Sequence, residues 1–318
     1  MKAITKHRYG GPEVLQLEEV EKPKPGKGEI LVRVKANSAN PADWHTMRGK
    51  PNFARLSFGL FKPKNKLFGS DFAGVVEDAG ESSQFSKGDQ VYGESLDGGA
   101  FAEYISAPEN ICAKMPENSS FIEMACVPIA GLTALQGLIT HGKLNEGESV
   151  LINGASGGVG HFAVQLAKAH GAKVTGVCSS NNVQFVTDLG ADQVIAYDKE
   201  DIHKHQGKYD LVIDTNGNLK HADFTRMGKR GVLIGFTTMA NMLGVVVRNA
   251  FSKFKIKVFT ASANTEDLTT LAKLIQEGKV KPHIDKMYTY NEIPAAIEYI
   301  EAMRTRGKVA MNWQTLKS

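Results

Sequence analysis

The sequence predicts a mixed α/β protein in which a β-rich first part is joined to a doubly wound sheet of parallel strands. Three observations predict it. A glycine turn sits between an apolar run and an amphipathic segment near residue 155. Strand and helix patterns alternate from residue 124 to about 263. Short apolar runs, punctuated by Gly and Pro, fill the chain before that.

In the first part, residues 29–36, 73–76 and 101–105 read as strands. Residues 150–152 then form a run short enough for a buried strand. They lead into Ala155-Ser156-Gly157-Gly158-Val159-Gly160, the Rossmann pattern with alanine in the first glycine position. Val159, Phe162, Ala163, Leu166, Ala167 and His170 recur at three- and four-residue spacing, so a helix follows. Its N-terminus aims unpaired N–H groups and a partial positive charge at a pyrophosphate. Gly157 lets the phosphates approach and Gly160 lets helix and strand pack closely.

The second strand, 173–177, ends without the Asp or Glu that usually binds the ribose hydroxyls of NAD. Cys178-Ser179-Ser180-Asn181-Asn182 offers hydroxyls and amides instead, which accommodate a 2′-phosphate, so NADPH is the expected cofactor. Strands at 193–197, 210–214, 231–236 and 257–261 bring the sheet to six. A helix at 268–277, a strand at 287–290, a helix at 292–303 and a strand at 308–313 form a tail expected to return to the first part. The expected division is therefore 1–123, 124–263 and 264–318.

Composition narrows the class. In 318 residues, 42% hydrophobic and 23% charged content is that of a soluble globular protein, and a net charge of +4 with dispersed basic residues gives no nucleic-acid footprint. The three cysteines, Cys112, Cys126 and Cys178, lack metal-type spacing and suit a reducing compartment. No signal core precedes the first strand and no run approaches the roughly 20 apolar residues of a membrane span, so a cytoplasmic protein is expected. Residues 53–61 and 239–254 mix large apolar side chains with Arg and Lys. They read as a pocket lid or subunit interface, with peripheral membrane contact as the other reading.

Beyond these patterns, RYGGPEVLQL (8–17), ANPADWHTMRG (39–49), GSDFAGVV (69–76), GDQVYG (88–93), GGAFAEY (98–104), PIAGLTAL (128–135), ASGGVG (155–160) and RGKVAM (306–311) appear in this order. The chain thereby resembles the medium-chain dehydrogenase/reductases, in their zinc-free quinone oxidoreductase branch, across nearly its whole length. The resemblance implies a GroES-like β-rich catalytic domain completed by the C-terminal tail, a six-stranded Rossmann cofactor domain, an active site in the cleft, and a homodimer.

The family's alcohol dehydrogenases hold a catalytic zinc with Cys and His. Here Asn40-Pro41-Ala42-Asp43 stands at the first ligand, Gly69-Ser70-Asp71 stands at the Gly-His-Glu motif, and the four-cysteine lobe is missing, so no metal is expected. Hydride delivery to an already electrophilic carbon, in a quinone or an α,β-unsaturated carbonyl compound, is the chemistry that stays easy without a Lewis acid.

By resemblance the catalytic candidates are Asn40, Asp43 and His45, the last standing where the family often has tyrosine. His45 could donate to an oxyanion or be a structural loop histidine, and Asp43 could orient ribose or cap a helix. On the cofactor side the resemblance puts Thr133 beside the nicotinamide, Ser179 and Ser180 at the 2′-phosphate, and Tyr197 near the adenosine. Asn216 and the Gly235-Phe236 turn occupy the carboxyl edge of the sheet, and Lys308 is a cofactor-edge candidate or a solvated strand start. Trp44 and Phe53 line an apolar pocket or belong to the core. A second class of function, a non-catalytic NADPH-binding sensor, structural or membrane-peripheral protein, has the same sequence requirements.

Overall fold

The computed structural model describes residues 1–80, 83–234 and 239–313. The chain divides into two compact units. The first comprises Met1–Ala130, Ala263–Glu277 and Pro282–Ser318, and the second Gly131–Ser262 and Gly278–Lys281.

The first unit is built on a seven-stranded sheet. Its path runs from Ile284–Thr289 through Lys308–Asn312, Glu29–Ala39, Asp71–Ala79 and Gln90–Glu94 to Cys112–Lys114, with Tyr104–Pro108 also paired to Glu29–Ala39. The last strand of the chain lies antiparallel to Glu29–Ala39, with Val309 opposite Ala39, so Lys308 arrives beside Asn40. Ser38 faces Asp71, which in turn faces Glu94, so the register alone sets three polar residues in a row across three strands. Below them Ile30, Val32, Val34, Phe72, Val91 and Phe101 form the core. Helix Ile293–Glu301 lays Ile293, Ala296, Ile297 and Ile300 on that core, at the spacing of one helical face. The expected strand at 101–105 starts later, at Tyr104, because Phe101 turns into the core edge-on to Phe68 at 5.4 Å.

The second unit carries six parallel strands. In space they run Gln193–Ala196, Lys173–Cys178, Ser149–Asn153, Tyr209–Asp214, Gly228–Leu233, Ile256–Val258. Numbered by sequence this is the 3-2-1-4-5-6 order of a doubly wound dinucleotide sheet. Its central strands bury Val150, Leu151, Ile152, Leu211, Val212 and Ile213 completely, as a sheet covered on both faces requires. Helix Gly160–Ala169 buries every side chain from His161 to Ala167 and not one stripe only, and His170, expected on its apolar face, is exposed at the C-cap. Among the described residues, exposed large apolar side chains group in two segments, Phe53, Leu56, Leu60 and Phe61, and Leu243, Val246, Val247 and Phe251. Among the described residues no helix is long and apolar enough to cross a membrane.

Candidate active site

The glycine turn is shaped by two different demands. A Cβ on Gly160 would stand 2.0 Å from the Gly154 carbonyl oxygen, so helix and strand can meet only if this residue has no side chain. A Cβ on Gly157 would meet nothing closer than that same oxygen at 3.4 Å, so internal packing does not require glycine there. Ser156, Gly157, Gly158 and Val159 are partly exposed at the start of the helix, while Ala155 is buried. The turn thus leaves open space at the N-terminus of the helix, where an anion could approach backbone N–H groups. The left-handed residue of the turn is Gly154, φ +86°, whose absent Cβ makes room for the Thr215 hydroxyl.

Asp214 organises the opposite lip. Fully buried at the end of the fourth strand, its carboxylate accepts the Asn153 amide and the backbone N–H groups of Asn216, Gly217 and Leu219. Asn216 is thus positioned by a carboxylate two residues earlier. Gly235 and Phe236 lie outside the described residues. Thr133 is buried on helix Pro128–Leu135.

At the end expected to meet the ribose, the loop has a partner that the second strand does not supply. A carboxylate does face the Ser179–Ser180 loop, supplied by Asp198 beyond the third strand. It accepts the Ser180 N–H at 2.7 Å and the Ser180 hydroxyl at 2.5 Å, and these bonds hold its pKa below the usual carboxylate range. Ser180 is therefore already engaged, whereas Ser179 and the half-exposed Tyr197 flank the loop. Asn182 donates to the Ser156 hydroxyl at 3.2 Å and ties this loop to the glycine turn.

In the first unit the candidates collect in a buried polar cluster. Asn40 caps helix Pro41–Arg48, and Asp43 completes the capping box by accepting the Asn40 N–H at 2.7 Å. The other Asp43 oxygen accepts the Ser70 hydroxyl at 2.8 Å. The Asn40 amide donates to Asp71, which also accepts the Ser38 hydroxyl and the Ile129 N–H. Lys308 is not a solvated strand start. It is 3% exposed, donates to Asn40 Oδ1, and lies 3.5 Å from Asp71.

Three buried carboxyl groups thus surround one ammonium, and desolvation raises the pKa of each. Asp43 is pushed up to about 7 and Glu94 to about 8, the latter also by the negative charge of Asp71, while Asp71 is raised and held back chiefly by Lys308. Glu94 Oε2 has no hydrogen-bond partner among the described residues, as suits a protonated acid.

His45 lies one turn along the same helix, stacked on Trp44 with ring centres 3.7 Å apart, and its Nδ1 contacts the Lys50 carbonyl oxygen at 3.1 Å. Burial lowers its pKa, which favours the neutral imidazole. Trp44 packs against the core and Phe53 is exposed. Neither lines the cavity of about 340 Å³ that opens beside Ser70.

Residues 26–117 match the alcohol dehydrogenase GroES-like domain family and residues 189–311 match the zinc-binding dehydrogenase family. The chloroplast envelope quinone oxidoreductase homolog of Arabidopsis thaliana is 32% identical over 91% of each chain. The chain belongs to the medium-chain dehydrogenase/reductase family. The NADPH-dependent alkenal/one oxidoreductase of the same plant is 33% identical over 98% of this chain and 79% of that relative. The solved quinone oxidoreductase of Coxiella burnetii superposes with a TM-score of 0.87 at 31% identity, covering 99% of both chains.

Within this family the residues at the zinc-ligand positions do not fit the metal. Asn40 and Ser70 bring neither thiolate nor imidazole and are committed to hydrogen bonds with Asp71 and Asp43. Among the described residues no three His, Cys, Asp or Glu side chains are grouped to hold a metal ion. Cys112, Cys126 and Cys178 are all free and buried, and burial raises their thiol pKa values.

Sequence reasoning missed Ser70 and Glu94 as members of the cluster and Gly154 and Asp214 as organisers of the turns. Gly154 was legible, since a glycine directly after an apolar strand run signals a positive-φ turn. Glu94 had no such signal, because only sheet pairing brings it opposite Asp71.

Proposed function

We propose that this medium-chain dehydrogenase/reductase reduces quinones or α,β-unsaturated carbonyl compounds with NADPH and without a metal. The carrying observation is the occupancy of the two zinc-ligand positions by Asn40 and Ser70, each hydrogen-bonded to a buried carboxyl group. A site without a Lewis acid needs a substrate that is already electrophilic. Relatives named for quinone and NADPH-dependent alkenal reduction support the reading.

In this reading the open turn at Ser156–Val159 and the N-terminus of helix Gly160–Ala169 hold the pyrophosphate, Ser179 and Tyr197 meet the adenosine end, and Asn216 and Thr133 bound the nicotinamide. The cofactor, when bound, supplies the hydride. Asp43 and Asn40 fix the start of helix Pro41–Arg48, and through Ser70 Asp43 adjoins the cavity. His45, held by Trp44 and Lys50, orients the substrate side of that helix. The division into 1–123, 124–263 and 264–318, a cytoplasmic setting, and a homodimer joined through the exposed Leu243, Val246 and Val247 complete the proposal.

The test is NADPH oxidation with 1,4-benzoquinone, a 2-alkenal, a long-chain enone and a saturated ketone, with products identified. Saturated aldehyde or ketone from the unsaturated acceptors, or hydroquinone from the quinone, is expected, and the saturated ketone should be inert. Silence on all four would refute the enzyme reading.

A further inference from the structure

The cavity beside Ser70 lies wholly within the first unit, and Lys6, Thr46, Phe58, Leu96 and Gly98 share its wall. Lys6 ends strand Lys2–Lys6 and is only 5% exposed. Among the described residues its Nζ makes one long hydrogen bond, 3.4 Å to the Leu67 carbonyl oxygen, and stands 5.2 Å from the centre of the Phe68 ring. An ammonium has three donors, and burying it with so few acceptors costs several kcal/mol. The other buried ammonium, Lys308, is by contrast held by Asn40 and Asp71. Lys6 thus keeps donors for something that enters the cavity, and since the Thr46 and Ser70 hydroxyls already donate to Asp43, its ammonium beside apolar Phe58 and Leu96 suits an apolar molecule with one oxygen that gains charge.

Resting on the function proposed above, we infer that Lys6 is the electrophilic residue of the reaction. It binds the carbonyl oxygen of the quinone or enone and protonates it as negative charge develops. In zinc-dependent members of the family a metal polarises the substrate oxygen, and a ligand to it stands where this chain has Ser70. Here Ser70 shares its cavity with an ammonium carried on a different strand.

The step balances. As hydride bonds to the β-carbon of an enone, the alkene pair moves to the bond between the α-carbon and the carbonyl carbon, and the carbonyl pair moves to oxygen. One N–H bond of Lys6 breaks, its proton bonds to that oxygen, and nitrogen keeps the pair as a neutral amine. The enol becomes the saturated ketone in water, and the amine takes a proton back from water. With a quinone the same hydride and proton sum to the hydroquinone.

Burial lowers the Lys6 pKa to about 8, and the negative charge of Asp43 partly opposes the shift. The other charged groups around it are Lys64 and Asp97 on the cavity wall and Lys66, whose carbonyl accepts the Lys6 N–H. Activity that needs the ammonium therefore falls as pH rises through about 8.

The test compares Lys6→Met and Lys6→Arg with the wild type. Lys6→Met should lower kcat/KM for both an enone and a quinone by about 100-fold and abolish the alkaline limb. Lys6→Arg, which restores the charge but carries no transferable proton, should recover only part of kcat/KM and should show no alkaline limb near pH 8. Binding of 4-nitrophenol, an oxyanion analogue, supplies a readout without turnover. At about pH 6 the wild type should show the bound phenolate band, because a nearby cation favours the ionised phenol, and Lys6→Met should lose it. Wild-type kcat/KM in Lys6→Met, or a phenolate band equal in both proteins or absent from both, overturns the inference. A Lys6-dependent band in a protein that reduces none of the acceptors would refute the proposed function and leave the oxyanion site standing.

Discussion

The glycine turn of the second unit and the polar cluster of the first are built in opposite ways. The turn is contiguous, Gly154 to Gly160, and in the function proposed above it would offer mainly backbone to the cofactor. The cluster draws on residues 38–43, 70–71, 94 and 308, joined by sheet register, and works with side chains removed from water. A backbone site depends on the absence of Cβ atoms at particular points, whereas a buried side-chain site depends on charge balance among partners remote in sequence.

The largest effect that would break this comparison is expected in the cluster. Lys308→Met strands Asp71 without its cation and should cost about 3–5 kcal/mol of stability, as removal of one partner from a buried pair does. Denaturant unfolding checks it, and adding Asp71→Asn should restore a large part of the loss. Full stability in Lys308→Met alone would show that the carboxyl groups are all protonated and need no cation.

Next in size is a contrast within the turn. Gly160→Ala should cost about 1–3 kcal/mol because its methyl group meets the Gly154 carbonyl. Gly157→Ala should leave stability within about 0.5 kcal/mol yet weaken NADPH binding about tenfold, measured by cofactor fluorescence, since its methyl group fills space kept for phosphate. Equal losses of stability in the two would mean that Gly157 also serves packing.

The smallest effect sharpens the ribose end. Asp198→Asn should tighten NADPH by a few-fold relative to NADH, because it removes a negative charge beside Ser180 and releases that hydroxyl. Ser179→Asp should shift preference the other way. An unchanged cofactor ratio in both would move the 2′-phosphate site away from this loop.

The sequence by itself determined what is local. The run from residue 149 to 178 contains strand, turn, helix and strand in order, and four further apolar runs from 193 to 261 follow it, so the six-stranded parallel sheet and its glycine turn were legible from periodicity and glycine placement. Asn40 and Asp43 were named together through the family resemblance, and their three-residue spacing is that of the capping box they form.

Tertiary structure alone decided which groups share a buried volume. Asp198 meets Ser180 across two adjacent strand ends, Lys308 crosses 268 positions of chain to reach Asn40, and Lys6 enters the cavity wall beside Ser70. Nothing in local spacing encodes these meetings. They arise from strand pairing and burial, and burial also sets the pKa values of Asp43, Glu94 and Lys6, because desolvation acts on a charge only once the fold has taken water away from it.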